Sequence, residues 1–318
     1  MTRILAILKE PELSAVRFER LSERFAGVGV DVVGDLGRAE TLIDRADVLV
    51  TIGPILGERA GVLFSKAAAL KWVQSIGVGV DNILGHPALA STVAVTNVRG
   101  VHGAQMSEAA LAAMLALARQ MPRMLGNQAA ARWERFAPRV LAGSTVGILG
   151  VGAIAAALAP RCKALEMTVV GFSSSPRPMP GFDRMEPCDA LVSAVGDLDH
   201  LVLLTPYSTR THHIVGAGVL AAMKRDAFLV NLARGGVLDE EALLWALDSG
   251  RIAGAALDVF SREPLPADSR LWSHPRIQVS PHLGGFHLGY PEQVFAAVAD
   301  NLGRYLAGGT PALLNRMN

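Results

Sequence analysis

Short apolar runs alternate with longer amphipathic stretches along the first hundred residues. The runs Arg3–Leu8, Val30–Val33, Val48–Ile52, Lys71–Ile76 and Val93–Thr96 are rich in Val, Ile and Leu and have the length of strands. Enough chain for a helix separates each from the next, and that βαβ rhythm predicts a parallel sheet covered by helices. From about Ser107 to about Met121, Ala, Leu and Met recur at nearly every turn. A helix apolar on more than one face is expected there, buried between domains or between subunits. A second series starts at Ser144, with strands predicted at Thr145–Leu149, Thr168–Phe172, Leu201–Leu204, Phe228–Leu232, Gly254–Val259 and Ile277–Ser280. Six such strands with helices between most of them predict a doubly wound sheet. A last helix, over about Pro291–Leu306, ends at Gly308-Gly309 and is expected to pack back on the first series. The predicted fold class is α/β: two doubly wound parallel-sheet domains with a cleft between them.

Composition narrows the function. Of 318 residues, 51% are hydrophobic and 19% charged, enough to bury a large core and far from a disordered chain. Thirty Lys and Arg against 29 Asp and Glu leave a formal charge of +1, so no long-range field concentrates nucleic acid or an anionic membrane. Neither is expected as a partner. The only cysteines, Cys162 and Cys188, have no ligand-type spacing, so no metal site is expected and a reducing, cytoplasmic setting fits best. The N-terminal apolar run is too short for a signal sequence and ends in Lys9-Glu10. Val140–Pro160 carries no charge, but Gly143, Gly147, Gly150 and Gly152 crowd it, which suits a buried strand and a glycine turn rather than a membrane span.

The predicted strand Thr145–Leu149 runs into Gly150-Val151-Gly152-Ala153-Ile154-Ala155, a G-x-G-x-x-A turn opening onto an Ala-rich segment. The first glycine allows a tight turn, the second lets a pyrophosphate approach the backbone, and Ala155 permits close helix packing. A Rossmann-like dinucleotide site follows, with phosphates at the helix N-terminus. An acid for the ribose 2′-hydroxyl belongs about 20 residues on. It is absent: Ser173-Ser174-Ser175-Pro176-Arg177 follows Phe172, with no carboxylate between Glu166 and Asp183. Hydroxyls and a guanidinium suit a 2′-phosphate, so NADP is favoured over NAD, which stays possible. The alternative is a polar turn whose serines cap a helix.

Three polar residues follow later predicted strands, where open α/β sheets place ligands. Arg234 lies in Asn231-Leu232-Ala233-Arg234-Gly235-Gly236, Glu263 precedes Pro264, and His282 lies in Ser280-Pro281-His282-Leu283-Gly284-Gly285. A guanidinium fork suits a carboxylate, and a Glu paired with a His orients a general acid. Singly, each has a plainer reading: a solvated turn, a loop carboxylate, a core histidine.

In this order, and with Ser75-Ile76-Gly77-Val78-Gly79-Val80-Asp81-Asn82, Val95-Thr96-Asn97 and Gly254-Ala255-Ala256-Leu257-Asp258-Val259-Phe260, the motifs resemble the D-isomer-specific 2-hydroxyacid dehydrogenase family over most of the chain. The resemblance implies Arg234, Glu263 and His282 as the catalytic set. It implies the Val78-Gly79 backbone with Arg234 for the substrate carboxylate, and Thr205, Pro206, Ala233 and Asp258 beside the cofactor along with Gly150, Gly152, Ala153 and Ile154. It also implies a substrate domain from residues 1–98 and 287–318, a dinucleotide-binding domain from 99–286, and a homodimer. Glu263 argues against formate, for which relatives carry Gln, and Val78 against phosphite, for which a lysine stands there. The short tail leaves no space for the regulatory domain common in phosphoglycerate dehydrogenases. Reduction of glyoxylate or hydroxypyruvate by NADPH is the implied activity, and a dinucleotide-binding corepressor without turnover is the alternative. Arg99 departs from the uncharged residue of many relatives: facing the cleft it would select a second anionic group, facing solvent it does nothing. Trp133 either reaches a neighbouring subunit's site or packs on an amphipathic helix.

Overall fold

A strand covered on both faces sends alternate side chains into two apolar layers, and β1 (Thr2–Ile7) does so: Leu5 and Ile7 enter one, Ile4 and Ala6 the other. The protein is described by a computed structural model covering residues 1–8 and 11–318. It divides into two compact units, Met1–Val101 with Leu288–Asn318, and His102–His287.

In the first unit β2 (Val28–Val33), β1, β3 (Val48–Thr51), β4 (Trp72–Ser75) and β5 (Ala94–Thr96) form a parallel sheet in that spatial order. All five predicted strands are present, each within two residues of its expected ends. The Tyr290–Gly308 helix lays Val294, Val298 and Leu302 on the layer containing Ile4 and Trp72. Asn301 on that helix donates to the Gln74 side chain at 2.9 Å, so a buried polar pair fixes its register.

The second unit holds seven parallel strands in the order β12 (Ile277–Val279), β11 (Gly254–Leu257), β10 (Phe228–Asn231), β9 (His200–Leu203), β6 (Thr145–Leu149), β7 (Thr168–Ser173) and β8 (Arg184–Pro187). Six were expected. The seventh, β8, is an edge strand reading Arg-Met-Glu-Pro with no fully buried side chain, so it lacks the apolar run that marks a strand in sequence. The helix expected from Ser107 to Met121 runs from Gly103 to Ala118, and Gln120, at φ 53°, breaks it from a second helix, Met121–Ala129. Met106, Ala110, Met114 and Leu117 bury the first of these within the unit, against Val146, Ile148 and Leu158. The glycine-rich stretch at 140–160 is strand β6 and the turn into the Ala153–Ala164 helix. Among the described residues no helix is long and apolar enough to cross a membrane, and no cluster of His, Cys, Asp and Glu could hold a metal.

Candidate active site

Strand order reverses between β6 and β9, and the turn after β6 lies at that switch point. Gly150 has φ 98°, which any side chain would strain, and a Cβ there would lie 2.5 Å from the Thr205 nitrogen. The turn is therefore pressed against the end of β9. At Gly152 the situation reverses, since nothing lies within 4 Å of where a Cβ would sit. Gly152 is also the N-cap of the Ala153–Ala164 helix and supplies no side-chain cap, so the N–H groups of the first turn remain for a ligand. Ala155 is fully buried against the sheet. An open cradle beside uncapped donors fits a pyrophosphate, with Gly150, Gly152, Ala153 and Ile154 to hold it.

At the end of β7 the Ser173 hydroxyl accepts the Ser175 N–H at 3.2 Å, so this serine closes the turn. Ser174, Ser175 and Arg177 are exposed, and Arg177 makes no ion pair among the described residues. Three donors and a cation are thus presented where an adenosine ribose would lie. Thr205 is buried at the end of β9, and Pro206 beyond it is exposed.

Buried Asn231 at the end of β10 shapes the loop that carries Arg234: its amide accepts the Ala233 N–H at 3.1 Å and donates to the Arg234 carbonyl at 3.2 Å. Arg234 itself is half-buried and donates to the Ala233 carbonyl at 2.7 Å. A Cβ on Gly235 would fall 1.9 Å from the Phe260 carbonyl carbon, so only glycine lets this loop lie on the backbone leading to Glu263. One Glu263 oxygen accepts the Phe260 N–H at 2.9 Å, and the other lies 2.7 Å from His282 Nδ1. Burial works to raise the Glu263 pKa, but the His282 and Phe260 hydrogen bonds and the Arg234 charge outweigh it and hold the carboxyl below its usual range. An ionised Glu263 only accepts, so Nδ1 carries the hydrogen and Nε2 remains for proton transfer.

His282 sits at φ 54°, a left-handed conformation that costs a non-glycine residue about 1–2 kcal/mol. Asp258 holds it there. Its carbonyl accepts the His282 N–H at 2.9 Å, and its carboxylate accepts from Ser280 Oγ at 2.6 Å and from the Leu283 and Gly284 N–H groups, each at 2.8 Å. Asp258 is 2% exposed, so three donors converge on a buried charge. Sequence reasoning placed Asp258 beside the cofactor and missed this turn-forming work; its signal is a carboxylate ending a strand, ahead of a Ser-Pro-His-Leu-Gly-Gly segment.

In the first unit, the loop after β4 exposes Val78, and neither Val78 N–H nor Gly79 N–H has an acceptor among the described residues. Arg99 is exposed, with its N–H on the Asn97 side chain at 3.0 Å. Trp133 lies outside any helix and is 93% exposed, which overturns the packing alternative.

Residues 111–284 match the family described as D-isomer specific 2-hydroxyacid dehydrogenase, NAD binding domain. The glyoxylate reductase of Thermococcus gammatolerans is 33% identical over 288 residues, covering 86% of this chain and 85% of that protein. The D-3-phosphoglycerate dehydrogenase of Methanocaldococcus jannaschii is 33% identical over 284 residues, 88% of this chain, but the match spans only 54% of its length. The NADPH-dependent glyoxylate/hydroxypyruvate reductase of Sinorhizobium meliloti, solved in complex with NADP and sulfate, superposes with a TM-score of 0.87 at 29% identity, covering 100% of this chain and 98% of that one.

Proposed function

The chain belongs to the D-isomer specific 2-hydroxyacid dehydrogenase family, and from that premise we propose that it reduces a small 2-oxo acid of the glyoxylate or hydroxypyruvate type to the D-2-hydroxy acid, with NADPH preferred and NADH possible. When bound, the reduced nicotinamide supplies the hydride. Arg234 offers its guanidinium fork to a substrate carboxylate, and in the first unit the Val78 and Gly79 N–H groups offer donors to a carboxylate. His282 gives its proton to the carbonyl oxygen, while Glu263 keeps the ring in the required tautomer and orientation. Ala233, Thr205, Pro206 and Asp258 belong to the cofactor side, and Ser173, Ser174, Ser175 and Arg177 serve the 2′-phosphate.

The observation that carries this reading is the 2.7 Å Glu263–His282 pair in the loop layer that also holds Arg234. The triad alone does not separate an enzyme from a protein that only senses dinucleotide; turnover does. The wild-type chain assayed with 2-oxo acids and each reduced cofactor should show turnover, and His282→Ala should lower it by about 10²–10⁴. Tight NADPH binding with no turnover on any 2-oxo acid would point instead to a regulatory protein. A homodimer is part of the proposal: the Met121–Ala129 helix buries none of its residues within the chain, and Leu125 and Trp133 stand exposed beside it.

A further inference from the structure

We propose that Ser75, Asn97 and Tyr290 are positioning residues that turn the Gly77–Gly79 loop into a carboxylate receptor. The inference deepens the reading above by naming the groups through which that loop acts. Every carbonyl from Ile76 to Gly79 is occupied. Tyr290 Oη donates to Ile76 O at 2.7 Å, and Asn97 Nδ2 to Val78 O at 2.7 Å. Ser75 Oγ lies 3.1 Å from Gly77 O and 2.9 Å from Gly79 O, and Gly77 O also accepts the Val98 N–H at 3.3 Å. The donors divide differently. Ile76 N–H goes to Thr51 O at 2.8 Å and Gly77 N–H to Ser75 Oγ at 3.3 Å, whereas those of Val78 and Gly79 reach no acceptor among the described residues.

With its carbonyls tied down, the loop presents two adjacent N–H dipoles and no competing acceptor, the arrangement an anion needs. Close packing prevents the loop from turning over: a Cβ on Gly77 would lie 2.8 Å from Ile52 Cδ1, and one on Gly53 would lie 1.7 Å from the Asp81 carbonyl oxygen. Burial pushes the Tyr290 phenol up to about 12, so its proton stays in place and the group donates across the working pH range.

The test uses Tyr290→Phe, which removes one oxygen, and Asn97→Ala. Because the receptor grips the carboxylate in ground state and transition state alike, KM for the 2-oxo acid should rise while kcat holds. One lost hydrogen bond corresponds to roughly a 2- to 12-fold rise. NADPH affinity should not change. An unchanged KM in both variants, or kcat and NADPH affinity falling as KM rises, overturns the assignment and leaves these groups a purely structural part. A second readout does not depend on turnover: amide signals of Val78 and Gly79 should move on titration with oxamate, with a midpoint shifted 2- to 12-fold in Tyr290→Phe. Silent amides overturn this inference even in an active enzyme. Responsive amides in a chain that turns over no 2-oxo acid uphold it while the functional reading fails.

Discussion

Gly150 and Gly152 stand two residues apart in one turn, and alanine at each should fail in opposite ways. At Gly150 the new Cβ would meet the Thr205 nitrogen at 2.5 Å and the Leu204 carbonyl carbon at 2.7 Å, both backbone atoms that cannot swing aside. Its φ of 98° adds strain of roughly 1–2 kcal/mol. With overpacking at about 1–3 kcal/mol, the total is about 2–5 kcal/mol. For a unit of this size, each kcal/mol moves Tm by about 2–4 °C. At Gly152 the backbone is extended and a Cβ meets nothing within 4 Å. The weaker N-cap costs about 0.5–1 kcal/mol, offset by roughly the same gain from a stiffer unfolded chain, so Tm should hardly move. The methyl would instead occupy the space assigned to the pyrophosphate, and NADPH affinity should fall at least about tenfold, or about 1.4 kcal/mol. Calorimetric Tm and NADPH fluorescence titration on both variants separate the two outcomes. Equal Tm losses, or a Gly152→Ala variant that binds NADPH as the wild type does, would refute the division of labour within the turn.

Three further outcomes are expected. The ratio of kcat/KM should favour NADPH over NADH by at least about tenfold, and Ser173→Asp with Arg177→Ala should shrink or invert it; a native preference for NADH would withdraw the 2′-phosphate assignment. His200, 3% exposed and with no partner for Nδ1 among the described residues, is held near pKa 4 mainly by burial, which the nearby Arg139 charge reinforces and the Asp199 charge opposes. The unfolded chain takes up this proton first, so stability should fall by about 3 kcal/mol as pH drops from about 6.5 to about 4; urea unfolding of His200→Gln should show that portion of the slope removed. Leu125→Glu should raise the dimer dissociation constant at least about tenfold in light-scattering titrations, with Tm of the isolated chain unchanged because Leu125 is 58% exposed; a monomeric wild type would sink the idea.

How far the sequence could be read depended on whether the deciding contacts were local. Strands such as Val48–Thr51 announce themselves because both faces are buried and every residue is apolar or small. The glycine turn is equally legible, since its requirements concern one backbone segment and the strand end beside it. Where burial lapses, legibility lapses with it: β8 is polar and half-exposed, and the break at Gln120 falls in a short polar step, Arg119-Gln120 ahead of Met121-Pro122, between two helical stretches. The triad lies between these cases. Arg234, Glu263 and His282 can be placed at strand ends from their neighbours, but the contacts that aim them come from elsewhere, such as Gly235 lying on the Phe260 backbone and Asp258 gathering donors from 22 to 26 residues away. The carboxylate loop is the extreme. Tyr290 reaches Ile76 across 214 residues, a contact that exists only because the last helix returns to the first sheet. Periodicity contains no term for such a pair, since nothing in the segment around Tyr290 distinguishes a phenol that packs from one that donates. The groups that perform chemistry can therefore be found by residue type and local context, whereas those that aim them become visible only once the topology has closed.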